Sequence, residues 1–114
     1  MASIALHPRT EERKATESEK LYAAWRRAKG SWDLASYAPE TFLNGLPNDE
    51  EDAHCDATCK ALNAYLLHPT DCPRELARKL RVMRDEEIYD SWTMAPQIAV
   101  VVAADAHRVA FGSD

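Results

Sequence analysis

Apolar positions recur at three- and four-residue intervals along most of this chain, the period of helices that bury one face. Thr10 stands as a candidate N-cap for a first helix running to about Lys29, where Gly30 would close it. On that helix Leu21, Trp25 and Ala28 share a face, and Trp32 extends the stripe if the helix passes Gly30. Pro39, Gly45 and Pro47 punctuate residues 31–48, the irregular part of the chain, in which 39–44 can form a single helical turn. Asn48, three residues ahead of Glu51, has the spacing of a capping box at the head of a second helix. That helix should reach about Leu66 before His68-Pro69 stops it, with Cys55, Cys59, Leu62 and Leu66 along one face.

Cys72-Pro73 with Glu75 predicts a third N-terminus, because proline suits the first helical position and a carboxylate complements the free amides. Leu76, Leu80 and Met83 form its apolar side, and the pattern permits continuation through Ile88 to Trp92. Glu75 and Lys79, and likewise Arg81 and Asp85, sit four apart, spacings that stabilise a solvated helix face. Thr93 then caps a last helix with Pro96 in its first turn and Gly112 at its end. Residues 98–102 have the β-branched density of a strand, but Ala103, Ala104, Ala106 and Ala110 favour helix, and no second strand exists to pair with. Val102, Ala106 and Val109 carry its stripe. The fold expected is all-α, a small bundle of about four helices spanning residues 10–114 behind a loose leader at 1–9.

Length and composition agree with that fold. A chain of 114 residues, 46% hydrophobic, buries roughly two-thirds of its unfolded surface in one core. No apolar run approaches the roughly 20 residues that span a bilayer, and the N-terminus lacks the pattern of a signal peptide, so the expected location is the cytoplasm. Three cysteines do not make a disulfide framework. The net charge of -5 divides as +3 over residues 1–30, -6 over 31–70 and -2 over 71–114. The acidic middle disfavours direct nucleic-acid binding, and Asp85-Glu86-Glu87 opposes it beside the basic stripe of Arg74, Arg78 and Arg81.

The candidate chemistry is sparse. Asp49, Glu50, Glu51 and Asp52, with Asp56, read as a partner-facing acidic patch, or as carboxylates that stabilise the positive end of a helix. Glu51 and His54 have the spacing of a di-iron motif, but a second copy is missing. Cys55 and Cys59, four apart, can both reach one zinc ion, or simply act as small hydrophobes beside Leu62 and Leu66. Cys72 at a helix start is the candidate thiol nucleophile, needing His54, His68 or His107 beside it in space. Gly30, Gly45 and Gly112 are too scattered for a phosphate-binding loop. No catalytic residue, cofactor or metal is expected.

The stretch from Leu76 to Glu87, with Trp92, Ile98 and Asp105-Ala106, resembles the C-terminal part of short bacterial and prophage-borne helical proteins of unknown function. That resemblance implies helical architecture and transfers no activity. The function expected is non-enzymatic binding of a protein partner, through the acidic start of the second helix and residues 31–48. Phage-encoded inhibitors of host defence, anti-CRISPR proteins among them, share this small, acidic, motif-free profile by analogy. The alternatives are a self-associating bundle, such as a homodimer, and a metal- or thiol-dependent enzyme.

Overall fold

A computed structural model describes residues 14–88 and 92–112, so the leader and Thr10 lie outside the described residues. The chain is all-α: among the described residues there are five helices and no strand. They are α1 (Glu17–Ser36), α2 (Pro39–Phe42), α3 (Asn48–Leu67), α4 (Pro73–Asp85) and α5 (Ala95–Phe111). None of them is long and apolar enough to cross a membrane.

Thr16, not Thr10, caps α1. Its hydroxyl accepts from the Glu19 N–H at 3.0 Å while the Glu19 carboxylate accepts from the Thr16 N–H at 2.9 Å, a complete capping box. The helix also runs through Gly30 to Ser36, which corrects the expected stop. An interior glycine costs only about 1 kcal/mol relative to alanine. The real terminator is Pro39, which forces Ala38 into extended backbone, φ -64° and ψ 147°. Pro39 then opens the single turn of α2, tied back to α1 by the Thr41 hydroxyl, which donates to the Ala35 carbonyl at 2.6 Å.

In α3 the capping box expected from Asn48 and Glu51 does not form. Pro47 holds the cap position, Asn48 is already helical, and Glu51 points its carboxylate at Trp32 instead. The predicted end holds: His68, before Pro69, is extended. Cys72 precedes α4 as expected but makes no side-chain capping bond.

Helix α4 stops at Asp85 rather than reaching Trp92. The Ile88 N–H donates to the Met83 carbonyl and the Glu87 N–H to the Arg84 carbonyl, the paired bonds of a Schellman closure, with Glu87 left-handed at φ 54°. Ile88 is buried, and Met83 packs against the same core, so an apolar contact fixes the turn. Glycine usually fills that left-handed position because a Cβ is strained there. Glu87→Gly is expected to raise stability by about 0.5–1 kcal/mol, read as a higher urea midpoint with an unchanged slope.

Residues 98–102 are helical within α5, as the alanine-rich continuation predicts. Met94, not Thr93, takes the cap position, and Gly112 closes the helix at φ 89°.

The core joins Trp25 of α1, Leu62, Tyr65 and Leu66 of α3, Val82 of α4, Ile88 and Ile98 of α5. α1 lies chiefly along α3, while α5 contacts both α3 and α4. Tyr22 links the α1–α3 seam, its ring 5.8 Å from Trp25 and 5.4 Å from Tyr65. The Tyr65 hydroxyl is buried without a hydrogen-bond partner, and burial pushes its pKa up to about 12. The stripes of the last two helices differ from expectation. On α4 the buried side is Glu75, Leu76, Lys79 and Val82, with Leu80 exposed; on α5 it is Ile98 and Asp105, with Ala106 exposed.

Candidate functional site

Three features stand out, beginning with the charges those two stripes carry inward. Lys79 and Asp105 are both fully buried, their ammonium and carboxylate 2.5 Å apart. Lys79 also donates to the His68 carbonyl at 2.8 Å, and Asp105 accepts from the Thr70 N–H at 3.0 Å and from Arg108 at 2.5 Å. Glu75, also buried, accepts from the Thr70 hydroxyl and from the Thr16 hydroxyl, each at 2.7 Å. The network therefore ties the 68–72 loop, α4 and α5 to the first turn of α1. This overturns the reading of Glu75 and Lys79 as a solvated intrahelical pair. Each is spent on a different long-range partner.

A hollow of about 450 Å³ borders the network, lined by His68, Thr70, Cys72, Glu75 and Arg108 among others. It brings a cysteine and a histidine to one wall, but no hydrogen bond joins the side chains of Cys72 and His68. The Cys72 N–H donates to the Thr70 hydroxyl at 3.2 Å. The carboxylates of Glu75 and Asp105 are already engaged by internal donors, so the chemistry of this region is that of a structural lock.

The second feature is a groove of about 510 Å³ between the C-terminal half of α1, the first half of α3 and the segment leading to α5. Trp32, Tyr37, Trp92 and Leu62 give it apolar walls. The Trp32 indole N–H donates to Glu51 at 3.2 Å and that of Trp92 to Asn63 at 2.8 Å, so both rings are hung from α3 by their polar edges. Cys55 and Cys59 line the same groove with their sulfurs 3.9 Å apart. Burial raises the pKa of the Cys59 thiol, and the neighbouring Cys55 and Asp56 raise it further. Among the described residues no three His, Cys, Asp or Glu side chains gather as a metal site.

The third feature is the corner where α1 meets α2. Leu34, Tyr37, Phe42 and Leu43 are all exposed there, Leu43 at 87%. Asp49, Glu50, Glu51, Asp52 and Asp56 follow directly on α3, every one of them exposed. Asp49 caps locally, accepting from the Glu50 N–H at 2.9 Å, and Glu51 faces Trp32; among the described residues Glu50 and Asp52 make no such side-chain bond. His54 is half-buried next to Cys55, and His107 lies tilted against Phe111, ring centroids 5.0 Å apart, far along α5.

The sequence reading missed the buried network and the exposed apolar corner. A signal for the first was present: Asp105 falls seven residues after Ile98, and Lys79 three after Leu76, so opposite charges interrupt two otherwise apolar stripes. No family model, curated protein or solved structure matches this chain.

Proposed function

We propose that this chain is a non-enzymatic helical protein that binds another protein through the α1–α2 corner and the adjoining acidic start of α3. The observation that carries the reading is the cluster of exposed Leu34, Tyr37, Phe42 and Leu43 beside exposed carboxylates. Large apolar side chains gathered at one place and rimmed by charge mark interaction sites, because water gains when a partner covers them. The rim selects a partner whose apolar cleft is bordered by lysine or arginine, and it accelerates their encounter. A phage-type inhibitor of a host defence complex, of the anti-CRISPR kind, is the specific form this reading takes, on the strength of size, acidity and missing motifs.

The test is a tagged pull-down from nuclease-treated lysate of the source cell, compared across two variants of the protein. Leu34→Ser with Leu43→Ser removes apolar contact, and Glu50→Lys with Asp52→Lys reverses the rim while leaving the Glu51 bond to Trp32 in place. Loss of one stoichiometric partner in both variants, with helicity unchanged by circular dichroism, is the expected result. A partner retained by both would place the contact elsewhere. Light scattering identifies the case in which the partner is a second copy: a doubled mass that reverts in the serine variant.

A further inference from the structure

We propose that the groove between α1 and α3 binds a small organic cation, an ammonium carried on an aromatic or alkyl group. Its volume of about 510 Å³ lies within the range of small-molecule sites, roughly 300–1,000 Å³. Three aromatic side chains, Trp32, Tyr37 and Trp92, contribute to the wall from two different parts of the chain. With the indole N–H groups of Trp32 and Trp92 occupied by Glu51 and Asn63, what these rings offer a ligand is ring surface, which attracts cations through its negative face. The charged groups around the groove are Asp33, Glu51, Glu86 and Lys29. The one ammonium among them is drawn to Glu86 at 3.5 Å, so the remaining field is negative. An anionic or phosphorylated ligand is rejected by that field, and a neutral one forgoes both the carboxylates and the cation–π attraction. The two thiols, 3.9 Å apart, complete the wall as a soft, polarizable surface. This groove adjoins the proposed protein-binding surface, with which it shares Tyr37 and Glu51.

The thiols also make the site measurable, because Cys55 and Cys59 line this groove while Cys72 lines the separate hollow beside Glu75. The probe is 2-phenylethylammonium, compared with its neutral isostere 2-phenylethanol. Binding is read by tryptophan fluorescence and by mass-spectrometric counting of cysteines labelled with N-ethylmaleimide. Saturable quenching is expected, about tenfold tighter for the ammonium than for the alcohol, a ratio worth about 1.4 kcal/mol. Labelling of Cys55 and Cys59 should slow in its presence while that of Cys72 stays constant. Glu51→Gln keeps an oxygen for the Trp32 indole and should lower ammonium affinity about tenfold without altering that of the alcohol. Equal affinities for the two probes, protection of Cys72 instead, unchanged affinity in Glu51→Gln, or no saturation by the ammonium would each overturn the assignment. Because neither probe is a protein and the corner variants leave Glu51 and the tryptophans intact, failure here is separable from failure of the protein-binding reading.

Discussion

Replacing Asp105 by alanine is expected to cost about 3–5 kcal/mol, enough to bring a domain of ordinary stability, about 5–15 kcal/mol, close to unfolding. The carboxylate serves Lys79, Arg108 and the Thr70 N–H at once, and both it and Lys79 are wholly shielded from water. Without it the Lys79 ammonium retains only the His68 carbonyl and sits as an uncompensated charge inside the protein. Arg108 suffers less, being partly exposed and able to turn outward. Removing both members of the central pair should therefore hurt less than removing one. Asp105→Leu combined with Lys79→Met is expected to recover most of the loss, since an apolar pair replaces two desolvated charges, while the unpaired Thr70 N–H still costs about 1 kcal/mol. Urea unfolding of the three variants is the measurement. A loss below 1 kcal/mol for Asp105→Ala would mean that water reaches Lys79 and that the lock is not sealed.

Trp25→Ala should be nearly as damaging, at about 3–5 kcal/mol. Trp25 is 3% exposed and lies in the core with Leu62, Tyr65 and Leu66, so its removal leaves a cavity that two long packed helices cannot easily close. For a chain of this size the loss corresponds to a fall in melting temperature of roughly 12–20 °C, at about 4 °C per kcal/mol. Trp25→Phe should cost distinctly less, because it keeps a ring in place and removes a buried indole N–H that has no partner. Trp32 provides the contrast. It is half-buried in a groove wall, and Trp32→Ala should cost no more than about half as much. Equal losses at the two positions would contradict the division between core and groove.

The legible parts of the structure are those decided within a few residues. Proline set the start of α2 and of α4 and the end of α3, because it restricts its own φ and the backbone of the residue before it; it also ends α1, where spacing points to Gly30 instead. Alanine content made α5 a helix despite its run of valines. Trp25, Leu62 and Leu66 were correctly placed by spacing alone, and the single turn after Pro39 was visible too.

Where several local solutions existed, sequence spacing chose the wrong one. The cap expected of Thr10 belongs to Thr16, whose hydroxyl makes a further bond to Glu75 on a distant helix. Asn48 has capping-box spacing, yet Glu51 lies beside Trp32 from α1. Glu75 and Lys79 have the spacing of a surface ion pair, and no rule of intrahelical spacing reveals that one faces Thr16 and Thr70 while the other meets Asp105. The candidate sites divide the same way: the acidic run was plain in the sequence, whereas the groove unites side chains from three separate segments.

The sequence by itself determined that this protein is helical, where most of its helices begin and end, and that Trp25, Leu62 and Leu66 turn inward, because backbone restriction and side-chain period are local properties. Only the tertiary structure decided that Lys79, Asp105 and Glu75 are buried, that Leu34, Tyr37, Phe42 and Leu43 are left in water, and that three aromatic rings and two thiols share one groove. Burial depends on which helix faces which, and that is fixed by the packing of all five together.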